Sequence, residues 1–265
     1  MYSDEKGKES RLFERDKEEN LHYVNKVKFK EGSGVKVPDN HLFLWRCDQN
    51  GGDISQKVLQ WFRQFILIDS LHKFDYSLSQ MKNDAVKEKI LSFIKIADLG
   101  IEHMGFHEDK LYTVHKAFNA DNNLVDDVIF YLEGHESEGT QKFFELSAPV
   151  LGTLEFGNVL ILDELEASLH PMLTEYLISL FNNKEENKKN AQLIFTTHDT
   201  HLLAEKLFDR DQIWFTEKDQ YGSTHLYSLL EFRKNNSGID VRENDNLEKR
   251  YLQGRFGGVP NIGAF

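Results

Sequence analysis

Two pairs of residues carry the chemistry that this chain can offer. Asp163 and Glu164 follow the apolar run Val159-Leu160-Ile161-Leu162, and His198 and Asp199 follow Ala191-Gln192-Leu193-Ile194-Phe195-Thr196-Thr197. Deep burial would cost two ionised carboxylates heavily. At the carboxyl end of a parallel strand they emerge instead into the crevice where open α/β sheets bind ligands. A plainer account has both acids capping the next helix. Asp163, Glu164, His198 and Asp199 are also the residue types of a two-metal hydrolase, although no further ligand pattern accompanies them. A third group is Ser137-Glu138-Gly139-Thr140-Gln141. It reads as a helix N-cap with a nearby glycine, and such a terminus favours an anion through its free amides and dipole.

The elements that position these residues follow from the apolar patterning. Val159–Leu162 is a short continuous apolar run, the signature of a strand buried on both faces of a parallel sheet. Ala191–Phe195 is a second buried strand, and the amphipathic stretch Met172–Phe181 lies between them. Upstream, Phe143 to about Leu154 reads as a helix that Ser137 opens. Lys110–Phe118 and Asp127–Leu132 fit an antiparallel pair around a turn at Asp121-Asn122-Asn123. Helical spacing predicts helices over Ile54–Ile68 and from Ala85 to about Gly100, with Trp61, Phe62 and Phe65 in the core. Leu21–Phe29 alternates as an exposed strand would, with Tyr23, Val27 and Phe29 on one face. Glu31-Gly32-Ser33-Gly34-Val35-Lys36 reads as a turn. Near the end, Asp211–Thr216 and Thr224–Leu229 predict a hairpin around Tyr221-Gly222-Ser223, followed by a polar run from Arg233 to Arg250.

The totals narrow the classes. The 265 residues carry a net charge of -12, which argues against broad nucleic-acid affinity. The cations and aromatics of Arg250–Pro260 would suit nucleic-acid or partner contact, or an ordered tail packed on the domain. With Cys47 the sole cysteine, no intrachain disulfide or multi-cysteine metal site can form. No apolar run approaches the length of a membrane span, and Met1–Lys6 lacks the apolar core of a signal peptide. A cytoplasmic protein is the expectation.

These motifs together resemble one family. The strand ending Asp163-Glu164 is similar to the Walker B strand of ATP-binding cassette (ABC) ATPases, and Ala167-Ser168-Leu169-His170-Pro171 to their D-loop. Ser137–Thr140 resembles a divergent signature motif, and His198 the switch histidine. With the Asp211–Phe215 strand and the Arg250–Pro260 tail, they resemble the stand-alone, SMC-like ABC-class ATPases, also classed as AAA-type, of prokaryotic phage-defence and abortive-infection operons. The resemblance covers Glu133 to the C-terminus and extends over the N-terminal part.

It implies an α/β, P-loop NTPase-like fold with a mostly parallel sheet flanked by helices. An antiparallel lobe with a helical insert would occupy residues 1–132 and the ATPase core residues 133–265. It further implies ATP and Mg²⁺ as cofactors. Asp163 would hold the metal, Glu164 would polarise the attacking water, and His198 would orient that water and bond the γ-phosphate. Ser137 and Gly139 would reach the nucleotide held by the partner in a head-to-tail dimer, and Thr140 and Ser168 would be cofactor-binding as well. Closure on ATP would signal to a defence effector, and hydrolysis would reset it.

One departure is large. The sequence nowhere spells Gly-x-x-x-x-Gly-Lys-Ser/Thr, the loop whose lysine and backbone amides grip ATP phosphates. The family's first strand, Walker A loop and following helix are therefore expected to be absent, through a split or truncated gene or a second chain that carries them. The other reading is a non-catalytic partner-binding or regulatory module descended from such an ATPase.

Overall fold

A computed structural model describes residues 2–3, 9–15, 23–38, 40–68, 75–97, 100–204, 207–232 and 246–259. Met1, the Leu21-His22 start of the alternating stretch, most of the polar run after Arg233 and Pro260 lie outside the described residues. The chain divides into two compact units, Met1–Phe65 and Ile66–Phe265.

In the first unit β1 (Tyr2–Ser3) pairs with β2 (Glu9–Ser10) and β3 (Phe13–Glu14) with β4 (Tyr23–Val24), both antiparallel. The alternation expected through Phe29 stops early. Asn25 Oδ1 accepts the N–H groups of Val27 and Lys28, which turns the chain. Val27 is left in solvent, while Phe29 is buried beside Phe13 and Phe43. The Glu31–Lys36 stretch is a turn opened by a 3-10 segment, Lys30–Gly32.

Two helices follow, α1 (Phe43–Gln49) and α2 (Asp53–Phe62). Gly52 has no side chain to cap α2, and Glu31 does so from outside the helix. Its carboxylate accepts the N–H of Ile54 at 2.8 Å and of Ser55 at 2.7 Å. A Cβ on Gly52 would lie 2.7 Å from the Glu31 carboxyl carbon, so the cap requires glycine there.

The helix expected over Ile54–Ile68 is shorter than its apolar spacing suggested. It ends at Phe62, and Phe65–Ile68 is a strand, β5. The run Phe-Ile-Leu-Ile satisfies both periodicities, and sheet pairing decides the outcome. Trp61 and Phe62 are about half exposed, at 48% and 52%, and so are not core residues.

The second unit opens with α3 (Asp75–Gln80) and α4 (Asp84–Ile96). Asn83 caps α4 by accepting the N–H groups of Ala85 and Val86, and the helix buries Ile90, Leu91, Phe93 and Ile94. A three-stranded antiparallel sheet follows, β6 (Ile101–His107), β7 (Lys110–Phe118) and β8 (Leu124–Tyr131), in the order β6-β7-β8. The β7–β8 pair was legible in the sequence, whereas β6 was not. After the short kinked turn α5 (Leu132–His135) comes the long helix α6 (Glu138–Phe156), which ends at Gly157.

The strand β9 (Val159–Leu162), the helix α7 (Pro171–Asn182) and the strand β10 (Gln192–Phe195) form a parallel crossover. Its sheet has the order β10-β9-β5. The hairpin β11 (Trp214–Lys218) and β12 (Thr224–Ser228), with α8 (Leu247–Leu252) near it in sequence, closes the described chain. Ile213, Phe215, Leu229 and Phe256 form a separate small core there.

The two faces of the parallel sheet differ. Ile66, Ile68, Leu160, Leu162, Leu193 and Phe195 point into the main core with Phe143, Phe144 and Leu177. Each fully buried leucine on that face contributes roughly 1.5–3 kcal/mol. Strand alternation turns Leu67, Ile161 and Ile194 to the other face. Ile161 and Ile194 are register partners. Leu67 and Ile194 are 68% and 53% exposed. Parallel sheets are ordinarily covered on both faces, so this apolar row is unusual, and Asp163 and Thr196 continue it two residues further on.

The Cys47 thiol is fully buried among Phe29, Val37 and Phe43. Burial, with the Glu31 carboxylate adding to it and the Ser55 hydroxyl opposing, pushes its pKa up to about 11. Thiolate is the reactive form, and at pH 8 only about one thiol in a thousand is ionised. Native protein should therefore resist iodoacetamide at pH 8, measured by mass spectrometry, and label rapidly once unfolded in guanidinium.

Candidate functional site

The register of β9 against β10 brings the two chemical pairs together. Leu162 is paired with Phe195, so the residues that follow, Asp163 and Thr196, emerge side by side at the carboxyl end of the sheet. The ladder continues one step, with Thr196 N–H donating to Leu162 O at 3.0 Å and Leu165 N–H to Thr196 O at 3.1 Å. On the other side, Asp163 N–H donates to Ile68 O of β5 at 3.4 Å.

Thr196 links the two acids. Its hydroxyl donates to Asp163 Oδ1 at 2.6 Å and accepts the Glu164 N–H at 2.9 Å. A hydroxyl can donate once and accept twice, so both bonds form together. The second bond helps hold Glu164 at φ +51°, a left-handed conformation that non-glycine residues seldom adopt. This turn swings the Glu164 carboxylate towards His198, with Glu164 Oε1 3.6 Å from His198 Nε2. That separation is too long for a direct hydrogen bond and leaves both groups able to approach one reacting atom. Both side chains are largely exposed.

Asp199 goes elsewhere. Its carboxylate accepts His201 N–H and caps the 3-10 segment Thr200–Leu203. Among the described residues, no three histidine, cysteine or acidic side chains gather at metal-ligand spacing, which removes the support for a two-metal centre.

The signature-like residues lie against the D-loop-like turn of the same chain. Ser137 caps α6, its Oγ accepting Thr140 N–H at 3.1 Å and lying 2.8 Å from Thr140 Oγ1. The N–H groups of Glu138 and Gly139 have no intrahelical acceptor, as at any helix start. Ser168 is left-handed at φ +63°, and its carbonyl oxygen would lie 2.9 Å from a Cβ on Gly139. Only glycine admits that approach. Thr140 is buried, so its side chain is fixed in the helix cap rather than offered to a ligand.

Ser137, Gly139 and Ser168 thus lie in one neighbourhood, and Asp163, Glu164 and His198 in another. Thr196 escaped notice there, because a lone threonine after a strand is unremarkable. The signal was available in the parallel strands, since aligning the ends of Val159–Leu162 and Gln192–Phe195 sets Thr196 beside Asp163.

A mixed α/β unit with a parallel strand pair, a crossover helix and acids at the strand ends is compatible with a P-loop NTPase-like fold. Residues 1–204, which are 204 of the 265, match the family described as "AAA domain, putative AbiEii toxin, Type IV TA system". The chain belongs to that family. Membership supports an ATPase-type, nucleotide-binding role, for which such domains generally use ATP and Mg²⁺. The match takes in the N-terminal part and stops before the β11–β12 hairpin. No curated protein matches the chain. Among the described residues no helix is long and apolar enough to cross a membrane.

The Thr196 linkage can be tested by an isosteric change. Thr196→Val removes both hydroxyl bonds and should cost about 1 kcal/mol in urea unfolding, the net worth of a partly exposed pair. Thr196→Ser, which keeps the hydroxyl, should lie within about 0.5 kcal/mol of wild type.

Proposed function

We propose that this chain is the hydrolytic part of an ABC-class Mg²⁺-dependent ATPase acting in phage defence. The observation that supports it best is the Thr196 hydroxyl, which joins Asp163 to the backbone of Glu164 while His198 faces Glu164. Asp163 has the right chemistry for Mg²⁺, a hard cation that takes one or two carboxylates and fills its other positions with water and phosphate oxygens. Bound there, the ion would neutralise charge on the phosphates. Glu164 accepts a proton from the attacking water, and His198 donates a hydrogen bond to the γ-phosphate oxygens. Phosphoryl transfer asks little more of the protein than such positioning.

The phosphate grip itself comes from a segment with free amides and a cation. Two features favour a source other than the described residues, either a partner protomer or a second chain. The sequence spells no Walker A loop, and the row Leu67, Ile161 and Ile194, exposed at Leu67 and Ile194, runs to the Asp163–Thr196 end of the sheet. A helix covering that row antiparallel to the strands would set its N-terminus, an anion site, beside the acids. In a head-to-tail dimer, Ser137 and the free amides of Glu138 and Gly139 would meet the nucleotide held opposite, with Ser168 beside them. Closure on ATP would signal to a defence effector in the cytoplasm.

The missing Walker A loop also favours a second reading, a non-catalytic module that recognises a partner. Glu164→Gln separates the two. On the ATPase reading it lowers kcat for ATP about a hundredfold, with KM within about twofold, in a phosphate-release assay on the purified chain alone and with its partner. An unchanged kcat would exclude Glu164 as the base, and a wild-type chain without turnover, alone and with its partner, would favour the module.

A further inference from the structure

Among the described residues, the Glu166 side chain makes one hydrogen bond and commits a charged group to it. Oε1 accepts the His198 N–H at 2.7 Å. Oε2 is out of contact with solvent and has no hydrogen-bond partner among the described residues. An acceptor buried without a partner is costly, and more so when charged.

The destination of that bond is informative. His198 is the residue whose imidazole faces Glu164, and its side chain is 86% exposed. Neighbouring side chains therefore do little to hold the ring by packing. Its starting point depends on the main chain, which is fixed at Thr196 by the strand ladder, at Asp199 by the Thr197 hydroxyl, and at His198 itself by Glu166. Glu166 belongs to the same turn as the acids, so it ties the end of β10 to the end of β9 two residues beyond the Thr196 link.

Resting on the ATPase reading, we propose that Glu166 is a positioning residue: it pins the backbone of His198 and thereby keeps the imidazole beside Glu164. Stability is given up at Oε2 for the sake of placement, a pattern found where function constrains a site.

The test uses the full chain and two variants, Glu166→Ala and Glu166→Gln, with any partner that turnover requires. Three quantities are read: amide hydrogen exchange at His198 by ¹⁵N NMR, kcat and KM for Mg-ATP, and the urea midpoint. Glu166→Ala should speed His198 exchange about tenfold or more and lower kcat by a similar factor, with KM within about twofold. Its urea midpoint should stay at or above that of wild type. Glu166→Gln keeps an acceptor oxygen and should restore both exchange and kcat to within about threefold of wild type.

Unchanged exchange in Glu166→Ala would overturn the proposal. So would wild-type kcat in that variant, or a glutamine variant as impaired as the alanine one. A wild-type protein without turnover would count against the ATPase reading instead, and the exchange comparison would then decide the anchor by itself.

Discussion

The site depends on one hydroxyl group and on the register that delivers it. Thr196 reaches Asp163 and Glu164 because β9 and β10 run parallel with Leu162 opposite Phe195. A slip of one residue would turn the whole strand over. Leu193 and Phe195 would then leave the core and Thr196 would point away from Asp163. The apolar face therefore fixes the chemical end of the strands, so that core packing and site geometry are set by one pairing.

The same sheet shows what the described residues do not supply. One face is packed by α3, α4, α6 and α7, while the other leaves Leu67 and Ile194 in solvent. This face and the carboxylates are continuous, since alternation places Ile161 and Asp163, and Ile194 and Thr196, on the same side. Whatever covers the apolar row also borders the acids.

Much of this arrangement could be read in the sequence where a single periodicity dominates. Val159–Leu162 is a continuous apolar run and Leu193–Phe195 a shorter one, with an amphipathic helix between them, and Ser137 is a plain cap. Where two periodicities compete, the reading failed. Phe65–Ile68 continues the helical spacing of α2, yet its isoleucines pair into the sheet. Ile101–His107 mixes His and Glu with few apolar residues and carries no plain strand signal, although Ile101 and Met104 are buried. Val27 and Phe29 were assigned to one face of a strand that an Asn25 turn ends. Thr196 and Glu166 act only through partners more than thirty residues away, and no local pattern marks such bonds.

The central claim is that Asp163 belongs to a Mg²⁺-nucleotide site. Calorimetric titration of the purified chain with Mg-ATP, repeated with Asp163→Ala, tests it most directly. The account predicts saturable binding by the wild-type protein, in the presence of whatever segment grips the phosphates, and at least a tenfold loss of affinity in Asp163→Ala, roughly one charge-assisted contact. Equal binding by the two proteins would contradict it and would place the nucleotide, if any, away from the β9–β10 strand ends.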